Sequence, residues 1–88
     1  MEDNCESSFA ATGAGKLTGT FGDLNTFSFF YSHQVSAVEG GMILTNDDEL
    51  AALCKMLRAH GWTRDIKAPT SFAEDYDFRL FGYNVRPI

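Results

Sequence analysis

Asp3, Glu6, Ser28 and His33 are the residues whose types and spacing could do chemistry. An imidazole with its ordinary pKa near ~6.5 can take and return protons at neutral pH, so His33 reads as a candidate general base. A turn-capping surface histidine is the alternative. Asp3 and Glu6 place two carboxylates at the start of the chain. They read as solvated charges at a strand end, or as a cluster at the carboxyl edge of a sheet, where open α/β proteins bind ligands. Alternation along Thr26-Phe27-Ser28-Phe29-Phe30-Tyr31 sends Phe27 and Phe29 to one face and Ser28 and Phe30 to the other. Ser28 then either faces water or has a buried partner.

The elements that must position these groups follow from the stretch Asn25 to Asn46. An aromatic run ends at Ser32-His33, Glu39-Gly40-Gly41 forms a loop, and Met42 to Thr45 is a second apolar run. This predicts two strands joined by a turn, with Ser28 and His33 at one edge. A helix is predicted next. Asn46 is its N-cap with Glu49 as capping-box partner, and Asp47 and Asp48 complement the dipole. Leu50, Leu53, Cys54 and Leu57 form its apolar stripe, which packs on a sheet, and Gly61 is the left-handed stop. His60 reads as a surface residue near the negative end of the helix.

With 88 residues the chain has room for one modest core. Its net charge of −5 disfavours nucleic acid as a partner. No apolar stretch is long enough to span a bilayer and no signal-peptide pattern is present, so the default compartment is the cytoplasm. Cys5 and Cys54 lack metal-site spacing and read as free thiols; no metal is expected. Ala11-Thr-Gly-Ala-Gly-Lys16 invites a phosphate-loop reading, but Ala10 stands where that motif needs glycine and Leu17 where it needs serine or threonine. Lys16 is therefore an exposed hairpin residue, and Gly19 to Asp23 forms the next turn. Residues 62–77 read as a long surface loop. Both ends read as cut, which points to an excised piece of a larger α/β protein.

Six segments in register resemble one family. They are Glu2-Asp3-Asn4-Cys5-Glu6-Ser7, Gly19-Thr20-Phe21-Gly22-Asp23, Thr26-Phe27-Ser28-Phe29-Phe30, Glu39-Gly40-Gly41-Met42, Leu57-Arg58-Ala59-His60-Gly61 and Gly82-Tyr83-Asn84-Val85-Arg86-Pro87. Together they are similar to the DegT/DnrJ/EryC1/StrS family of sugar aminotransferases and dehydratases. The resemblance implies an α/β fragment of the large domain of a fold-type I pyridoxal-phosphate enzyme, with residues 1–88 as one incomplete domain. The longer protein would be a homodimer with shared active sites.

In this resemblance Asp3 pairs with the pyridine nitrogen of pyridoxal or pyridoxamine phosphate, Ser28 binds the phosphate, and Asn84 reaches the phosphate of the neighbouring subunit. Glu6 stands near the cofactor's 3-oxygen where many members have glutamine. Phe9 and Val38 sit where members commonly have smaller or different residues, and Gln34-Val35 also departs from the pattern. Lys16, Lys55 and Lys67 are not at the Schiff-base position, which His33 occupies five residues after Ser28.

Ser32-His33 resembles the histidine-containing nucleotide-sugar 3-dehydratase branch, closest to the GDP-sugar enzymes. That branch implies removal of the 3-hydroxyl from a nucleotide-linked 4-keto-6-deoxy sugar in deoxysugar biosynthesis, with His33 as base and glutamate as amino donor. Two alternatives remain: a lysine-dependent nucleotide-sugar aminotransferase, and a non-catalytic remnant or interaction module.

Overall fold

A computed structural model describes residues 1–66 and 78–86. Lys67, most of the expected 62–77 loop and the end of the last family segment at Pro87 lie outside the described residues. The chain forms two compact units, residues 1–46 and 47–88, which are taken one at a time.

The first unit is a three-stranded mixed sheet in the order β1-β2-β3. Its strands are β1 (Glu2–Asp3), β2 (Asn25–Ser28) and β3 (Gly41–Leu44). β1 lies parallel to β2, with Glu2 beside Asn25 and Asp3 beside Thr26. β3 is antiparallel to β2, with Asn25 opposite Leu44 and Ser28 opposite Gly41. The strand pair expected within Asn25–Asn46 is present, but β2 is shorter than its aromatic run. Ser28 Oγ accepts a hydrogen bond from Phe30 N at 3.2 Å, and His33 N donates to Phe30 O at 2.9 Å. A hydroxyl that bonds its own backbone competes with the ladder, so the chain turns after Ser28. The alternation predicted for residues 27–30 therefore holds no further than Ser28.

A parallel pair needs a crossover, usually helical. Residues 4–24 supply it without a helix. Side chains hold this loop instead. The Glu2 carboxylate accepts from Gly19 N at 2.6 Å and Phe21 N at 3.1 Å. Thr18 Oγ1 donates to Ser7 O at 2.8 Å, and buried Asn25 binds Gly22 O at 2.9 Å and Leu44 O at 3.1 Å through Nδ2. Gly19 has φ +86°, and a Cβ there would meet the Phe27 ring at 2.2 Å, so any other residue would be strained and would displace that ring. Ala11 and Leu17 form an antiparallel bridge, which makes Lys16 the hairpin residue expected; its Nζ lies 4.2 Å from the Phe21 ring centroid.

In the second unit α1 spans Asp48–Leu57. Its N-cap is Asp47, not Asn46: Asp47 Oδ1 accepts from Glu49 N at 2.8 Å and Leu50 N at 3.0 Å. A charged acceptor at the positive end of the helix outcompetes the neutral amide one residue earlier. The buried face also differs from the expected leucine stripe. Ala52, Met56 and Ala59 are the buried residues, Leu50, Leu53 and Cys54 are half-buried, and Leu57 is exposed. Residues 79–85 return past the C-terminal end of the helix, where Ala59 bridges Asn84. Tyr83 N donates to Leu57 O at 2.8 Å, Val85 N to Arg58 O at 3.0 Å and Arg79 N to Gly61 O at 3.0 Å. Gly61 has φ +81°, and a Cβ there would lie 1.7 Å from Leu80 O. The left-handed stop expected at Gly61 is thus also a packing requirement, and it begins one residue earlier, at His60 with φ +62°.

Asp47→Ala is expected to destabilise the helix by about 1 kcal/mol, whereas Asn46→Ala leaves it nearly unchanged; thermal unfolding followed at 222 nm distinguishes the two caps. Val38 has φ +70° although it is β-branched. The left-handed region costs such a residue about 1–2 kcal/mol. Val38→Asn is expected to raise stability by about 0.5–1 kcal/mol in the same measurement.

Candidate functional site

Because β1 and β2 are parallel, their carboxyl ends share one edge of the sheet. Asp3 is the last residue of β1 and Ser28 the last of β2. Asp3 is thus both at a strand end and at the carboxyl edge of the sheet, as each of the two sequence readings has it. Asp3 Oδ1 accepts from Cys5 N at 3.1 Å and Thr26 Oγ1 at 3.4 Å. Hydrogen bonds from the Cys5 thiol and the Cys5 amide hold its carboxyl below the usual carboxylate range. The same contact with Asp3 pushes the Cys5 thiol up, which favours its protonated form. Asp3, Cys5, Glu6 and Ser7 line a shallow concavity of about 360 Å³. An exposed anion at its wall suits a cationic ring nitrogen.

His33 stands at the end of the turn that follows Ser28, with 16 % of its side chain exposed. Its ring packs edge-on against Phe30 with centroids 5.6 Å apart, and Nε2 lies 3.8 Å from Glu6 Oε1. Nδ1 is buried and has no hydrogen-bond partner among the described residues. Glu6 keeps 85 % of its side chain exposed, and its backbone carbonyl accepts from Gln34 Nε2 at 2.6 Å.

Asp3, Glu6, Ser28 and His33 therefore belong to the first unit, while Asn84 belongs to the second. Asn84 is exposed and forms an antiparallel bridge with Ala59. Sequence reasoning gave no role to Glu2, whose carboxylate holds the crossover beneath Asp3. The signal was available: a Gly19-Thr20-Phe21 turn has amides that need an acceptor, and a carboxylate is the strongest one. Among the described residues no three His, Cys, Asp or Glu side chains converge on a metal position.

The family pattern described as the DegT/DnrJ/EryC1/StrS aminotransferase family matches residues 1–86. The chain belongs to this family. It is 46 % identical to the GDP-4-keto-6-deoxy-D-mannose 3-dehydratase of Escherichia coli O55:H7, over 100 % of this chain and 25 % of that enzyme. It thus spans about a quarter of the length of that relative. A solved GDP-4-keto-6-deoxymannose-3-dehydratase with a trapped PLP-glutamate geminal diamine superimposes with a TM-score of 0.79 at 45 % identity, covering 96 % of this chain and 24 % of that one. A variant of this dehydratase with an adjacent serine and histidine changed to asparagine and lysine gives a TM-score of 0.79 at 44 % identity, with the same coverage. The mixed sheet and helix are accordingly an α/β piece of the large domain of this family's fold-type I architecture.

Bonds from the Gly19 amide first, then from Phe21, Asn4 and Gly22, hold the Glu2 carboxyl below its ordinary value. For Glu2, as for Asp3, the contribution to stability is present above the unfolded value near ~4 and is lost as pH falls through the lower folded value. In an NMR titration the Gly19 and Phe21 amide shifts are expected to move together with a midpoint below that of free glutamate. Glu2→Gln abolishes this movement.

Proposed function

We propose that this chain carries part of the active site of a pyridoxal- or pyridoxamine-phosphate-dependent nucleotide-sugar 3-dehydratase of deoxysugar biosynthesis, working in the cytoplasm. The observation that carries the reading is Ser32-His33, the only Ser-His pair in the sequence, placed one turn beyond the carboxyl end of β2. An adjacent serine and histidine are the residues changed in the dehydratase variant that resembles this chain. The Schiff-base position, where the family's aminotransferases need lysine, would be held here by His33.

The residues present fit the cofactor. The Asp3 carboxylate, kept ionised by its bonds to Cys5, would pair with the protonated ring nitrogen. The Ser28 hydroxyl, which uses a lone pair for Phe30 N, keeps its proton to donate to a phosphate oxygen. Asn84 would serve the phosphate of the site on a second subunit of a homodimer. When bound, the cofactor supplies an amine that condenses with a ketone and a ring that accepts electrons. His33 would take a proton at its imidazole and return it to the oxygen of the departing 3-hydroxyl of a nucleotide-linked 4-keto-6-deoxy sugar. Glutamate, seen joined to the cofactor in the solved relative, is the proposed amino donor.

Absorbance titration with pyridoxal and pyridoxamine phosphate, followed by borohydride and mass spectrometry, tests the reading. Wild-type protein is expected to bind reversibly and to keep its mass on reduction. His33→Lys is expected to gain the mass of one cofactor. Covalent fixation of the wild type through a lysine would favour the aminotransferase instead. Absence of binding by both would make the chain a non-catalytic remnant or interaction module.

A further inference from the structure

Glu6 and Gln34 are the two departures from the family pattern that meet in the structure. Gln34 Nε2 donates to the Glu6 carbonyl at 2.6 Å, and the next-door His33 Nε2 faces the Glu6 carboxylate at 3.8 Å. The dipeptide His33-Gln34 thus grips one residue of the loop after β1 at both its backbone and its side chain. A carboxylate beside Nε2 favours the tautomer with the proton on Nε2. Placing that proton on Nδ1 would bury an N–H that has no acceptor among the described residues. Both arguments point the same way. At 3.8 Å the contact is electrostatic; a movement of about 1 Å by the exposed Glu6 side chain brings it to hydrogen-bond length.

We propose that Glu6 is a positioning residue for His33, held in place by Gln34, and that its carboxylate serves the imidazole and not the cofactor's 3-oxygen. The inference adds to the dehydratase reading, in which His33 moves the proton, and concerns the free protein. Nε2–H is directed to Glu6, and the carboxylate fixes the orientation of the ring that moves the proton. The logic is that of a carboxylate orienting a catalytic histidine, supplied here by a residue three positions after Asp3.

Long-range ¹H–¹⁵N NMR of the imidazoles, with His33 in its neutral state and no cofactor present, tests this directly. Wild-type protein is expected to show the Nε2–H pattern for His33. Glu6→Ala shifts the two nitrogens toward each other as the tautomers mix, Glu6→Gln retains the wild-type pattern through its amide oxygen, and Gln34→Ala gives an intermediate shift. An Nδ1–H pattern in the wild type, or a pattern unmoved by both Glu6→Ala and Gln34→Ala, overturns the proposal. Loss of cofactor binding with the tautomer pattern intact would count against the dehydratase reading alone, so the two failures are distinguishable.

Discussion

Two residues of β1 have few peptide groups with which to stay parallel to β2, and the chain between them has no helix to span the crossover. The Glu2 carboxylate resolves this by accepting the Gly19 and Phe21 amides, fastening the far end of the crossover to the strand where it began. Charge-assisted bonds to backbone amides are stronger than neutral ones, so one side chain fixes a loop that would otherwise be costly to order. Asn25, buried in the central strand, continues the fastening to Gly22 and to β3. The carboxyl edge that holds Asp3 and Ser28 depends on these bonds, because only the parallel register sends the ends of β1 and β2 the same way.

The turn that follows β2 has a related origin. Ser28 stops its own strand by bonding Phe30 N, and the aromatic run folds over so that Phe30 packs against the His33 ring. The hydroxyl proposed to meet a phosphate is thus also the group that fixes where the imidazole stands. A substitution at Ser28 would disturb both the strand end and the placing of the imidazole, because a single local turn sets them.

In the second unit, close backbone approach takes the place of a large apolar core. Met56 is fully buried, flanked at helical spacing by Ala52 and Ala59, and the returning segment bonds to Leu57, Arg58 and Gly61. Trp62 stacks on Phe78 with centroids 5.5 Å apart, and Arg64 lies 4.1 Å from the Trp62 ring. Exposed Phe81 and Tyr83 lie on the same returning segment as Asn84.

Much of this was legible from residue types and spacing. The strand pair around Asn25–Asn46, the helix after Asn46, the hairpin at Lys16 and the glycine stop at Gly61 follow from local rules: period-two alternation, capping and left-handed φ. The family was legible because six segments stand in register along nearly the whole chain. Competing local choices were not legible. Asp47 and Asn46 are both good caps, and only the folded helix shows which acceptor reaches the amides of Glu49 and Leu50. The leucine stripe looked like the buried face because side-chain size was read as burial, whereas the buried positions are Ala52, Met56 and Ala59. Pairing between Glu2 and the 19–21 turn, and between Glu6, His33 and Gln34, joins residues far apart in sequence. Such contacts arise when strand register brings two loops to one edge, a condition set by the tertiary fold and invisible to any local pattern.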